Sequence, residues 1–274
     1  MILPGDRCAT QLLVTVKAYP NPSTTYGETV CVAGITVDDP EGPRWNRLYP
    51  IQFRDLETVR QFKKWDVISV STTPTRNDQR PESRRPMPDT IEVVRHIGND
   101  RAGWAERRRF VEPVAAGSMC EVQRRQREDR TSLAAIRPLE IRDLRVVLND
   151  RVIAPERRIA AGRLTLMKPN KSPLEVIPYR FIFDYRCADP RCPGHNQSII
   201  DWEVGQFFRR ERANGATVRA AGDRTRERWL SKVCADSREQ LFFVGNLHKY
   251  PKTFQVLGVF WPPRAQPKEQ LPLF

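Results

Sequence analysis

Short runs of strand-forming residues follow one another through the first part of the chain. Each of five runs mixes β-branched, aromatic and alternating polar residues, and segments rich in Pro, Gly, Asn, Asp and Ser separate them. The runs are residues 12–20, 28–37, 46–53, 66–72 and 90–97. Such closely spaced short strands are typical of a small closed or half-closed barrel of the OB or SH3-like kind. We therefore expect residues 1–97 to form an N-terminal small β-barrel domain.

Helical patterns occur within and directly after this region. Residues 55–65 predict a helix, because apolar residues recur there at helical spacing. Residues 101–112 and 120–130 predict two more helices, both strongly charged. The apolar positions of the first helix are Leu56, Val59, Phe62 and Trp65. We expect residues 98–133 to be a charged helical linker between two domains.

Residues 134–262 combine strand and helix patterns, which predicts a second domain and an α+β class for the whole chain. The predicted strands are 132–139, 144–150, 157–167, 174–187 and a hairpin of 240–248 with 254–262, and the helices are 198–212 and 225–236. Ser198 is the expected N-cap of the first helix, which places Asp201 at its third position. Residues 263–274 are rich in Pro and polar residues, and we expect them to form a flexible tail.

The net charge is concentrated in the second part of the chain. The 274 residues include 46 Lys and Arg against 33 Asp and Glu, a net charge of +13. Residues 1–97 are nearly neutral, with 13 basic and 12 acidic residues, so residues 98–274 hold almost all of the excess. A clustered excess favours a polyanionic partner, most often nucleic acid, because each neutralised phosphate releases counterions. The predicted nucleic-acid-binding residues are Arg209, Arg210, Arg212, Arg219, Arg224, Arg226, Arg228 and Lys232.

Three potential metal ligands, Cys187, Cys192 and His195, lie within nine residues in one predicted loop. Thiolates and imidazole are ligands that zinc prefers, and sites rich in thiolates are usually closed. The sequence therefore predicts a structural rather than a catalytic zinc site. The fourth ligand must come from elsewhere. Its candidates are Cys234 and His248, ahead of Asp189 and Asp201, whereas Cys120 and His96 are expected to be ordinary core or interface residues.

Three carboxylates raise the alternative of an enzyme. Asp184, Asp201 and Glu203 flank the same predicted loop, and metal-dependent nucleases need two or three converging carboxylates. The sequence does not fix the geometry of these residues, so they are candidate catalytic residues only. It contains no glycine-rich phosphate loop and no nucleophile elbow.

The sequence closes with the peptide Gln270-Leu271-Pro272-Leu273-Phe274. These five residues resemble the bacterial sliding-clamp-binding motif, the Gln-Leu-x-Leu-Phe peptide with which polymerases and mismatch-repair proteins dock on the ring-shaped processivity clamp. The resemblance covers the tail alone. It implies that Leu271, Leu273 and Phe274 fill apolar pockets of the clamp, and that Gln270 forms hydrogen bonds in a polar pocket.

No targeting segment is recognisable at the start, and no stretch approaches the length of a membrane span. We expect a cytoplasmic, nucleoid-associated protein without a membrane partner. Taken together, the sequence predicts a DNA-binding protein with a structural zinc site, recruited to the sliding clamp in replication, repair or genome defence. The alternatives are a clamp-recruited metal-dependent nuclease and an RNA- or protein-binding scaffold without catalysis.

Overall fold

The computed structural model describes residues 8–19, 21–23, 27–75, 77–149 and 177–264. These residues form an α+β protein with an N-terminal closed β-barrel and a second sheet accompanied by helices, which confirms the predicted fold class. The expected strand over residues 157–167 and the expected peptide at residues 270–274 lie outside the described residues. No helix in the described part of the chain is long and apolar enough to cross a membrane.

Seven strands make up the first sheet. They are β1 (Cys8–Lys17), β2 (Asn21–Ser23), β3 (Gly27–Thr36), β4 (Trp45–Ile51), β5 (Asp66–Pro74), β6 (Ser83–Pro86) and β7 (Glu92–His96). Five of them follow the order β1-β3-β4-β6-β5, and the barrel closes because β5 pairs with β1. β2 pairs with β3, and β7 pairs with β5.

The helix predicted over residues 55–65 is wrong. The chain instead forms two short 3₁₀ turns, Phe53–Asp55 and Thr58–Arg60, before Trp65 adopts a left-handed conformation with φ of 72°. Phe62 is buried and packs edge-on against Phe53, with ring centroids 5.1 Å apart, whereas Val59 is 78% exposed. Burial of aromatic rings against the barrel thus overrides the local helical periodicity.

Two buried clusters explain how the barrel is packed. Leu12 and Val14 of β1 belong to a cluster formed almost entirely by barrel residues. Leu13, between them, belongs to a different cluster that also contains Phe243 and Phe260 of the second sheet. Successive residues of a strand face opposite sides, so β1 contributes to the barrel interior and to the junction with the second sheet at the same time.

The second part of the chain comprises α1 (Arg101–Val111), β8 (Ala115–Ala116), α2 (Met119–Asp129), β9 (Leu133–Ile136), β10 (Pro138–Leu148), β11 (Tyr179–Cys187), β12 (His195–Ile199), α3 (Trp202–Ala213), α4 (Val218–Arg228), a π-helical turn (Trp229–Val233), β13 (Leu241–Asn246) and β14 (Phe254–Phe260). The strand order is β10-β11-β12-β14-β13-β9-β8. β13 and β14 pair in antiparallel fashion, which confirms the predicted hairpin.

Two helix starts in this part differ from the predictions. Ser198 does not cap α3, because it pairs with Ile182 across β12 and β11; Asp201 is the N-cap, and its side chain accepts a 3.0 Å hydrogen bond from the Glu203 backbone N–H. α4 begins at Val218, earlier than expected, after the N-cap Thr217. Helices α1 and α2 lie within residues 98–133, the expected charged helical linker. Buried apolar side chains on both helices, including Val111 and Val122, pack them into the protein.

Candidate functional site

A cluster of three cysteines and one histidine lies where β11, β12 and α2 meet. Cys187 is the last residue of β11 and His195 is the first residue of β12. Cys192 lies in the loop between them, and Cys120 is the second residue of α2. The four possible ligand atoms lie within 4.8 Å of one another, which is compatible with a metal ion at the centre. We call these residues the Cys3His cluster.

Local geometry explains how the loop brings its ligands together. Antiparallel pairing of Tyr185 with His195 places the ends of β11 and β12 side by side. Between the strands, the backbone N–H of Cys192 donates a 2.9 Å hydrogen bond to the Asp189 carbonyl, closing a turn. Gly194 has φ of +96°, a conformation that side-chain-bearing residues rarely adopt. The turn and the glycine direct the loop back towards the first cysteine.

Helix α2 is fixed to this loop by capping and charge. The Ser118 hydroxyl accepts a 3.0 Å hydrogen bond from the Glu121 backbone N–H, which starts the helix just before Cys120. One turn beyond Cys120, the Arg124 guanidinium lies 2.9 Å from the Asp189 carboxylate in the loop. The exposed ion pair contributes modestly to stability, but it orients the helix towards the loop that carries the other ligands.

The cluster is compact and largely buried. His195 Nε2 lies 3.2 Å from Cys192 Sγ, 3.3 Å from Cys187 Sγ and 3.7 Å from Cys120 Sγ. The Sγ atoms of Cys120 and Cys187 are 3.6 Å apart. Three of the residues are buried and Cys120 is half-buried. One imidazole nitrogen therefore faces three sulfur atoms from two separate parts of the chain.

Cys187 and Cys120, whose Sγ atoms are 3.6 Å apart, have opposite pKa shifts. Burial raises the pKa of Cys187, but hydrogen bonds to its sulfur, first from the Asp189 backbone, outweigh burial and lower it to about 6. Burial, together with the neighbouring Cys187, raises the pKa of Cys120 to about 12. Backbone N–H groups of Cys187 and Gly194 also donate to Cys192 Sγ, each over 3.4 Å. The loop thus supplies hydrogen bonds that stabilise negative charge on sulfur.

The structure corrects the predicted fourth ligand. Cys187, Cys192 and His195 come together as expected, but Cys120 completes the cluster, and neither Cys234 nor His248 belongs to it. Cys234 follows the π-helical turn and packs at the edge of the main core, the buried cluster that the second sheet forms with its helices and that includes Phe183 and Phe208. Burial there raises the pKa of Cys234 to about 12. His248 is exposed, and its Nδ1 atom lies 3.4 Å from Asp78.

Sequence spacing alone could not reveal Cys120, because it precedes Cys187 by 67 residues. One weak signal was present. In the highly charged stretch 120–130, Cys120 and Val122 are the only apolar residues, which favours contact of both with the protein interior. A cysteine at such a position, in the first turn of a helix, fits a ligand from a second element.

The three candidate catalytic carboxylates are not brought together. Among the described residues, the Cys3His cluster is the only group of three or more potential metal ligands. Asp201 and Glu203 instead contact the ammonium of Lys64, at 2.8 Å and 3.0 Å. Asp184 lies in β11, opposite Asn196 of β12. Burial lowers the pKa of Lys64, but the two carboxylates outweigh burial and raise it, so Lys64 is charged at neutral pH.

The predicted nucleic-acid-binding residues lie on α3, α4 and the π-helical turn that follows α4. Helices α3 and α4 pack against each other, and their inner side chains, such as Phe208 and Ala221, are buried in the main core. Seven of the eight residues are exposed, and Arg209 is partly buried. We call the set the basic helical layer: Arg209, Arg210, Arg212, Arg219, Arg224, Arg226, Arg228 and Lys232.

Carboxylates neutralise part of this layer. Arg224 forms a 3.0 Å ion pair with Glu211, and Arg226 forms a 2.6 Å ion pair with Asp143. The layer is connected to the Cys3His cluster through the backbone, since His195 begins β12 and Asp201, two residues after that strand, caps α3. The strand that carries the histidine therefore leads directly into the first basic helix.

Two family models together span most of the chain. Residues 8–113 match the model described as Domain of unknown function (DUF8758). Residues 115–274 match the model described as Domain of unknown function (DUF8757). The division falls at the 3₁₀ turn Glu112–Val114, directly after α1. No curated protein matches the chain. Because the match to residues 115–274 covers more than half of the chain, the chain belongs to the family described as Domain of unknown function (DUF8757).

Proposed function

We propose that this chain is a DNA-binding protein, stabilised by a structural zinc ion and recruited to the bacterial sliding clamp. The observation that carries the proposal is the basic helical layer. Seven exposed cationic side chains of α3, α4 and the π-helical turn occupy one outer layer, and those helices are anchored by their apolar faces. Duplex DNA presents a dense row of phosphates, and such a layer binds it mainly through counterion release.

The Cys3His cluster fits zinc by its donor set and its dimensions. Zn–S bonds of about 2.3 Å and Zn–N bonds of about 2.0 Å, arranged as a tetrahedron, separate two sulfurs by about 3.8 Å and a sulfur from a nitrogen by about 3.5 Å. The Cys120–Cys187 separation is 3.6 Å, and the three separations from His195 Nε2 span 3.2–3.7 Å. Cys120, Cys187, Cys192 and His195 would hold the ion.

A closed site with four protein ligands supports a structural role. Bound zinc would cross-link α2 to the ends of β11 and β12 and would add its binding free energy to the stability of the fold. This chain's own residues prepare the site: the Asp189–Arg124 ion pair orients the helix, and backbone N–H groups stabilise the thiolates. By holding the first residue of β12, the site would also fix the strand that leads into α3.

Recruitment rests on the tail alone. The peptide Gln270–Phe274 resembles the sliding-clamp-binding motif, and a clamp that already encircles DNA would raise the local DNA concentration for a weakly binding basic layer. Clamp docking would then supply location, and the basic helical layer would supply retention on the duplex. The sequence preference of the basic layer would not need to be high in such an arrangement.

The proposal is tested by competition for a labelled DNA duplex. Purified full-length chain is titrated into the duplex, and unlabelled DNA, double-stranded RNA of the same sequence and polyglutamate serve as competitors. A DNA-binding protein is displaced by unlabelled DNA at lower concentrations than by RNA or polyglutamate. Stronger displacement by RNA would favour an RNA-binding scaffold, stronger displacement by polyglutamate would favour a scaffold for acidic proteins, and either result would overturn the proposal.

A further inference from the structure

Two arginines of the basic helical layer share one aromatic ring. The guanidinium carbon of Arg210, on α3, lies 5.0 Å from the ring centroid of Phe207, and that of Arg228, on α4, lies 4.9 Å from the same centroid. The two guanidinium groups therefore cannot be more than about 10 Å apart, although they come from different helices.

The ring itself is held in place from the core side. Phe207 is partly buried against the main core and packs edge-on against Trp229, with ring centroids 6.0 Å apart. Trp229 is buried. Stacking on a fixed ring restricts both arginine side chains, so less conformational freedom is lost when they bind a ligand.

Neither arginine has an anionic partner within the described part of the chain, where ion pairs neutralise two of their neighbours. Arg224 is paired with Glu211, and Arg226 is paired with Asp143. Arg210 and Arg228 are both exposed and have no carboxylate oxygen within 4.0 Å among the described residues. Two unpaired like charges beside one ring repel each other, and an anion between or beside them relieves that repulsion.

We infer that Arg210 and Arg228, positioned by Phe207, form the phosphate-binding pair of the basic helical layer and contact the DNA backbone directly. This inference rests on the proposed function. It names two of the eight residues of the basic helical layer as the direct phosphate contacts. Guanidinium groups present several N–H donors in a plane and bind phosphate oxygens bidentately. A duplex rises about 3.4 Å per nucleotide along one strand, so a pair within about 10 Å reaches one phosphate or close neighbours on a single strand.

The ion-paired arginines provide a matched control. The variants Arg210→Gln/Arg228→Gln and Arg224→Gln/Arg226→Gln each remove two positive charges from the basic helical layer. The first variant removes one charge from α3 and one from α4, and the second removes both from α4. All four side chains are exposed, so both variants should fold, which melting curves of the full chain verify. Because both variants lose the same total charge, any difference in their DNA binding shows which arginines contact phosphate.

The test is the affinity of the wild-type chain and both double variants for a labelled DNA duplex between about 50 mM and about 200 mM salt. Loss of two phosphate contacts should weaken binding on the order of tenfold and reduce the slope of log K against log salt by about 2 in Arg210→Gln/Arg228→Gln. The control should lose less than about threefold and keep its slope, because its charges are already paired. Equal losses in the two variants would overturn the inference but leave DNA binding intact. Absence of salt-dependent binding by the wild-type chain would overturn the proposed function as well.

Discussion

The ammonium of Lys64 lies 2.8 Å from the carboxylate of Asp201, across the junction between the barrel and α3. The two residues are 137 positions apart, and both side chains are almost completely buried. Asp201 also caps α3, so a single carboxylate starts the first basic helix and anchors it to the barrel. The junction is further lined by Lys17, whose ammonium lies 4.3 Å from the ring centroid of Trp202.

Removal of the Lys64 charge should destabilise the whole protein. Lys64→Met leaves Asp201 buried without its counter-charge, a change that typically costs about 3–5 kcal/mol. Glu203→Gln should cost less than about 1 kcal/mol, because the Glu203 side chain is 48% exposed. Denaturant unfolding measures both values. The double variant Lys64→Met/Asp201→Asn should recover part of the loss, since asparagine is neutral and still caps a helix. No recovery would show that the ion pair is not the cause.

Lys17 should make stability depend on pH. Burial is the larger effect on its pKa and lowers it to about 7, against an opposing effect of Asp66. The ammonium lies 3.1 Å from the Phe53 ring centroid and donates a 3.3 Å hydrogen bond to the Phe62 carbonyl, so the charged form is partly compensated. Above pH 7 the folded state releases the proton while the unfolded state keeps it up to about pH 10, and stability from this group therefore rises with pH across that window.

A comparison with Lys17→Met isolates this dependence. The unfolding free energy of the wild-type chain relative to the variant should increase by up to about 1 kcal/mol per pH unit between pH 7 and pH 10. The exposed lysine Lys249 is the control, and Lys249→Met should follow the wild-type profile. Parallel profiles of the wild-type chain and Lys17→Met would contradict the expected titration of the buried amine.

Clamp docking predicts a sharp difference within the tail. Leu273→Ala/Phe274→Ala should reduce retention on immobilised bacterial clamp by at least about a hundredfold, because it removes the apolar anchors of a short peptide. Pro272→Ala should change retention on the clamp by no more than severalfold, since Pro272 occupies the variable position of the motif. Surface plasmon resonance measures both variants. Retention of the double variant at wild-type strength would show that the tail does not dock on the clamp through these residues.

The barrel and the loop ligands were predictable because their signals are local. Strand alternation and turn residues defined the barrel, and nine residues sufficed to place Cys187, Cys192 and His195 in one loop. The errors arose where distant contacts decide the structure. Phe62 leaves the helical pattern of residues 55–65 in order to pack on Phe53. Ser198, a good helix cap by residue type, is extended because β12 pairs with β11.

The fourth ligand illustrates the same limit at the site. Cys120 reaches the other three residues only because α2 packs beside the end of β11, and no spacing rule connects positions 67 residues apart. Cys120 and the candidate Cys234 are both partly buried cysteines, so residue type could not distinguish them. Their separation into a cluster residue and a core residue is a property of the tertiary fold.

The zinc content of two cysteine variants tests the proposed structural zinc site, which would fix the strand that leads into the basic helical layer. Elemental analysis of the full chain, purified without chelators, should find about one zinc per wild-type chain. Cys120→Ser should lose most of the metal and unfold at a lower temperature, whereas Cys234→Ser should retain it. A wild-type chain without zinc, or a Cys120→Ser variant that keeps zinc at the wild-type level, would show that the Cys3His cluster does not hold a structural zinc ion.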